Sequence, residues 1–284
     1  MAADVPDFFI HVANPTIHAW RLTKETTMML TEHYDSLIAD EAKEEETKEI
    51  KRTLPAWMAT LEKWVNQEMH GKKLTQSAMD AVDLYLTKCF RDFWIFFNKY
   101  GIEWAVVGKN DPWFLACNEL MSVYPLFSPL PVGIRLFHGV GVFEDMMPWA
   151  EVAKAELGTE IITQAPTSTS WRAEAALGYC VSKGQLLMTT PAWAHDHIRS
   201  YLIVFEVGPG AIIPAIPIEA LPVKSTDPRF RSTCTECEIN LPPFLKCKLM
   251  KQTFHKSLPL RDRSKQEISN CIVLFMRLLS VVTS

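Results

Sequence analysis

The segment Thr235-Glu236-Cys237-Glu238-Ile239-Asn240-Leu241-Pro242-Pro243 sets two carboxylates two residues apart in a run that reads as a strand. Side chains alternate across a strand, so Glu236 and Glu238 are expected on one face and Cys237 on the other. Two like charges on a half-buried strand cost free energy, and a fold accepts that cost where a cation or a developing positive charge is to be met. Cleavage of an N-glycosidic bond develops such a charge. The ribose becomes oxocarbenium-like as the base leaves, and a carboxylate held against it lowers the barrier. The pair alone reads more readily as a solvent-facing edge strand.

Two further motifs precede it. Pro166-Thr167-Ser168-Thr169-Ser170 reads as a strand ending in hydroxyl-bearing residues, which can fix the orientation of a neighbouring carboxylate or simply form a turn or helix cap. Arg135-Leu136-Phe137-His138-Gly139-Val140 reads as an apolar strand ending in His-Gly. Glycine there would let an amide-bearing ligand approach the backbone, or would only lead an exposed His into a turn.

The order of the three motifs, from Leu120 to Phe254, resembles the R-S-E branch of the mono-ADP-ribosyltransferases, which includes cholera-toxin-like and clostridial Rho- and actin-modifying enzymes. In that family one strand ends in an aromatic residue, Arg and often Gly. A second carries Ser-Thr-Ser, and a third carries Glu-x-Glu or Gln-x-Glu, often followed by Leu-Pro-Pro. Tyr201 to Ile213 resembles the family's strand, Pro-Gly turn and strand, and Ala173 to Leu177 its helix after Ser-Thr-Ser.

The resemblance implies that NAD is the co-substrate, with no metal. It implies that Ser168 orients Glu238, that Glu238 stabilises the oxocarbenium ion, and that Gly139 backbone groups hold the nicotinamide carboxamide. Arg135, Phe137, His138, Thr169 and Ser170 are the further expected NAD contacts. Glu236 would engage a protein acceptor, a Glu there implying arginine, and Phe230 in the loop Lys224 to Thr235 would recognise it. The chain departs from the pattern at His138, where the family has Arg. The diphtheria-toxin and poly-ADP-ribose polymerase branch has His at that place, bonding the adenosine ribose. Arg135, three residues earlier on a strand, is expected on the opposite face. Three functions follow as expectations: an arginine-directed transferase, an NAD glycohydrolase in which water is the acceptor, and an inactive binding protein that keeps the fold.

The elements that must position these residues fall in two textures. Up to about Tyr100 the pattern is helical. Met79, Val82, Leu86, Phe90, Phe93 and Phe97 predict one apolar helix stripe, Trp57, Leu61, Trp64 and Val65 a second, and Leu30, Tyr34, Leu37 and Ile38 a third. The Glu- and Lys-rich run Asp40 to Lys51 reads as a solvated face or linker. After about Asp111, short apolar runs broken by Pro and Gly predict strands at Ile134–Val140, Glu160–Thr169, Tyr201–Val207, Ala211–Ile216, Glu236–Leu241 and Phe244–Lys251. Ser170 is expected to cap a helix running to Cys180. The fold class is therefore α+β, an N-terminal helical segment packed on a split β-sandwich. Boundaries are drawn at 1–115 for the helical region, 116–257 for the catalytic core and 258–284 for a tail helix.

The bulk composition narrows the field. The formal charge is -4, and no block of Lys and Arg predicts a nucleic-acid partner. With 48% hydrophobic and 22% charged residues, nine Trp and fifteen Phe, the chain can build a core. Seven Cys at irregular spacing, and no signal-peptide layout, are read as a reducing, cytoplasmic setting, in a producing or a host cell. The longest apolar run, Cys271 to Val282, is interrupted by Arg277 and is short of the roughly 20 residues a membrane span needs. A soluble monomer is expected. Cys234-x-x-Cys237 has only Cys247 near it and no His pair at finger spacing, and His195-Asp196-His197 reads as a polar turn before a strand, so no metal is expected at either.

Overall fold

The computed structural model describes residues 56–68, 74–86, 90–140, 143–180, 200–218, 221, 237–259 and 267–282. The stripe of Leu30 to Ile38 and the charged run Asp40 to Lys51 lie outside these residues.

Three helices, α1 (Ala56–Glu68), α2 (Gln76–Tyr85) and α3 (Phe90–Tyr100), are followed by the short α4 (Trp104–Val107) and by α5 (Phe114–Val123). Thr75 caps α2, its hydroxyl accepting the Ala78 N–H at 3.2 Å. The expected single stripe from Met79 to Phe97 is two helices instead. Val82, Phe93 and Phe97 are fully buried, but Phe90 opens α3 and is 51% exposed, because a new helix does not inherit the phase of the last one. Residues of α2, α3 and α5 meet Ala165, Ile216, Ile218 and Phe244 in one apolar cluster, which seats the helical layer on the sheet. The α1 stripe of Met58, Leu61, Trp64 and Val65 packs in the main core. Trp64 Nε1–H donates to the Ser128 carbonyl at 3.2 Å and Glu68 accepts the Ser128 N–H at 3.3 Å, which fastens α1 to the entry of the β region.

The β region forms one eight-stranded sheet in the order β2-β7-β8-β4-β1-β3-β6-β5. Its strands are β1 (Arg135–Val140), β2 (Glu160–Ile162), β3 (Thr167–Ser170), β4 (Ser200–Val207), β5 (Ile216–Pro217), β6 (Glu238–Leu241), β7 (Leu245–Pro259) and β8 (Glu267–Val281), with helices α6 (Phe143–Val152) and α7 (Ala173–Tyr179) between them. Ile203 and Phe205 of β4, Leu274 and Met276 of β8, and Ile239 and Leu241 of β6 share one core cluster, so the two halves of the sheet close over a common interior. The protein is α+β, with helices on a mostly antiparallel sheet.

Three expectations need correction. Where a tail helix is expected over 258–284, Glu267–Val281 is a strand: β8 lies between β7 and β4, parallel to β4, so the core extends well past residue 257. Cys271, Val273 and Phe275 face one cluster while Leu274, Met276 and Leu278 face another. A strand buried on both faces presents an unbroken apolar run, which periodicity cannot separate from a buried helix. Glu160–Thr169 is two strands, β2 at the sheet edge and β3 near its other end, divided before Pro166. Of Ala211–Ile216 only Ile216 is in a strand; Pro214 lacks the N–H a ladder requires and forms only an isolated bridge with Pro129.

Candidate functional site

β3 lies between β1 and β6, and this placement brings the motifs together. Along the β3–β6 ladder Ser168 faces Asn240, Thr169 faces Ile239 and Ser170 faces Glu238. Ser168 and Glu238 are therefore diagonal neighbours, and the Ser168 hydroxyl donates to Glu238 Oε1 at 2.6 Å. Glu238 is only 9% exposed, so this bond acts on a carboxylate largely withdrawn from water.

His138 reaches the same strand from β1. Its Nδ1 lies 2.7 Å from the Ser168 carbonyl, which can only accept, so Nδ1 carries the proton and Nε2 keeps its lone pair. The ring sits beside Trp149 of α6, centroids 6.2 Å apart. Burial pulls its pKa down to about 4 against a smaller upward pull from the Ser168 carbonyl, so the half-buried imidazole is neutral at pH 7.

The other expected site residues fall elsewhere. Arg135 stands at the opposite end of β1 from His138 and Gly139. It pairs with Glu206 at 3.5 Å, which pairs in turn with Arg277 at 3.4 Å, the three in register across β1, β4 and β8. An arginine held in that row is not at the Ser168–Glu238 pair. Phe137 is buried with α7 and packs against Trp57, centroids 6.4 Å apart. Thr169 is buried, its hydroxyl donating to the Ile239 carbonyl at 2.6 Å, and Ser170 accepts the Arg172 N–H at 2.9 Å where the chain turns into α7.

Packing alone requires the glycine at position 139. A Cβ on it would lie 1.7 Å from the Ala176 carbonyl oxygen, so α7 can rest on β1 only over a glycine. Glu236 and Phe230 lie outside the described residues, as do Cys234, His195 and His197. Cys237 is buried and has φ +53, a left-handed backbone, so the strand begins at Glu238.

Sequence reasoning passed over three polar residues. The Tyr85 hydroxyl of α2 lies 3.3 Å from Ser168 Oγ. Tyr124, just after α5, donates its hydroxyl to Asn240 Oδ1 in a short bond, and lies 3.2 Å from the Leu241 carbonyl. Burial, and then the proximity of Tyr85 and Glu238, push the Tyr124 pKa well up. The one legible signal was Asn240, a polar residue between Ile239 and Leu241 on a strand.

No protein-family model matches the chain, and no curated protein does. Among solved structures, it is similar to the C3 exoenzyme of Clostridium limosum, with 14% identity over 82% of this chain and 98% of that one and a TM-score of 0.48. It is likewise similar to Plx2a, an ADP-ribosyltransferase toxin from Paenibacillus larvae, with 15% identity, 79% and 95% coverage, and a TM-score of 0.47. A third is the ADP-ribosyltransferase Vis of Vibrio splendidus, with 14% identity, 81% and 87% coverage, and a TM-score of 0.47. No described helix is long and apolar enough to cross a membrane.

Proposed function

We propose that the protein is an NAD-dependent mono-ADP-ribosyltransferase. The observation that carries this reading is the 2.6 Å bond from Ser168 to the buried Glu238 carboxylate, formed between the two motifs whose order suggested the chemistry. In the proposed reaction the bond between the nicotinamide nitrogen and ribose C1′ breaks, and its electron pair neutralises the pyridinium as nicotinamide leaves. Glu238 faces the oxocarbenium ion that remains, and Ser168 holds the carboxylate in place. An acceptor nitrogen of a protein side chain, arginine on this reading, then attacks C1′ and gives up its proton. His138, neutral with Nε2 open as an acceptor, is placed to take a hydrogen bond from a ribose hydroxyl. NAD is the co-substrate, a protein the acceptor, and the active species a monomer acting in the cytoplasm of a producing or host cell.

Labelled NAD incubated with lysate should mark protein, and Glu238→Gln should abolish the mark. Absence of both labelling and nicotinamide release in the wild type overturns the reading.

In a second reading, NAD glycohydrolase, water replaces the protein acceptor while the same Ser168-held Glu238 carboxylate faces the oxocarbenium ion. Release of free ADP-ribose with no protein label would select it.

A further inference from the structure

We propose that the helical layer is part of the catalytic centre, and that Tyr85 and Tyr124 are positioning residues clamping the Ser168–Glu238 pair. This rests on Glu238 being the catalytic carboxylate, as read above.

Proton counting sets the direction of the first contact. Ser168 has one hydroxyl proton and directs it to Glu238 Oε1 at 2.6 Å. An ionised carboxylate has none to return, so in the 3.3 Å contact between Tyr85 and Ser168 the phenol is the donor. The result is an ordered chain, Tyr85 O–H to Ser168 O–H to Glu238, which starts on a helix and ends on the carboxylate. In such a chain each bond polarises the next. It also selects one rotamer of a serine that is otherwise exposed.

The second contact holds the strand itself. Tyr124 donates to Asn240, which stands directly across from Ser168 on the β3–β6 ladder and two residues beyond Glu238 on the same face. Asn240 is 1% exposed, and among the described residues its side-chain amide nitrogen has no hydrogen-bond partner. An apolar pair at these positions would be free of that unmet donor. The retained polar pair buys a fixed orientation of β6 under the helices. The two tyrosines thus grip opposite partners of one ladder rung, and Glu238 lies one step from that rung.

The test uses the full chain and two variants. Tyr85→Phe breaks the first contact. Tyr124→Phe combined with Asn240→Leu replaces the second by an apolar pair, a swap expected to leave the melting temperature close to the wild type. Both should lower kcat for nicotinamide release about five- to tenfold, roughly what one net hydrogen bond is worth, with KM for NAD unchanged. Adding Tyr85→Phe to Ser168→Ala should lower kcat no further, because the chain is already cut. The Glu238 carboxyl carbon resonance, followed by ¹³C NMR, should move in Tyr85→Phe but not on adding that change to Ser168→Ala.

Full kcat in both variants, or full additivity with Ser168→Ala, overturns the clamp while Glu238→Gln still reports on the transferase reading. Should Tyr85→Phe fail to fold, 3-fluorotyrosine at position 85, a stronger donor, should shift the same resonance, and an unmoved resonance overturns the clamp. If the wild type leaves NAD intact, the functional reading falls, and the resonance still separates a present hydrogen-bond chain from an absent one.

Discussion

The two halves of the sheet are stabilised in different ways. Where β4 and β8 run side by side from Tyr201 to Phe205 and from Ile272 to Met276 the side chains are apolar and both faces are covered: Leu202 and Val204 pack with Val273 and Phe275 on one side, and Ile203 and Phe205 with Leu274 and Met276 on the other. In β3 and β6 only one face is of that kind. Thr169, Ile239 and Leu241 point into the core, while Ser168, Glu238 and Asn240 carry bonded polar groups on the other side. Burial of non-directional surface tolerates small shifts; a row of hydrogen bonds does not. The difference teaches where the fold accepts a cost in stability for a fixed geometry, and so where function is to be sought.

Substitutions can break this contrast, and the largest effect should come from Glu238→Gln. Nicotinamide release is expected to fall by about 10² to 10³, the scale on which a single stabilising group in a dry site acts. The melting temperature should change little, since the amide keeps the shape; a lost fold would mean that Glu238 serves stability first. Next comes Gly139→Ala. With a Cβ 1.7 Å from a backbone oxygen, α7 must lift from β1, at about 3 kcal/mol or more in a urea titration. A near-neutral result would return the glycine to the ligand-approach role.

His138 sharpens the comparison through pH. Its folded pKa of about 4 lies below the unfolded value of about 6.5, so between them the unfolded chain binds a proton that the native ring refuses. The contribution to stability is therefore complete above pH 6.5 and is lost as the pH falls toward 4. His138→Gln should flatten the urea midpoint across this interval, and an unchanged slope would count against a buried neutral ring. The smallest effect is expected from Arg135→Met. A partly exposed ion pair is worth about 1 kcal/mol or less, and Glu206 keeps Arg277. NAD affinity measured by calorimetry should stay as it was; a tenfold loss would bring Arg135 back into the site.

The legible parts of the sequence were those in which local pattern and tertiary role coincide. The α1 stripe could be read from periodicity, β1 and β4 from short apolar runs bounded by Pro or Gly, and Ser168 and Glu238 from motif order. β8 could not, since its long apolar run has no Pro or Gly to bound it and cannot be told from a buried helix. Sequence shows neither the glutamate across the ladder from Arg135 nor the helix that rests on Gly139. Tyr85 and Tyr124 were missed for a related reason. Their partners lie 83 and 116 residues away, and a tyrosine near an apolar stripe carries no mark of the group its hydroxyl will meet.

The position of β8 also bears on how the molecule is assembled during synthesis. β4 is complete at Val207, yet its parallel neighbour begins only at Glu267, so on the ribosome one long side of β4 stays open while some sixty further residues emerge. Such a non-local pairing is slow to form and leaves an adhesive edge on the nascent chain. A chaperone that recognises extended apolar segments would find a target in this interval.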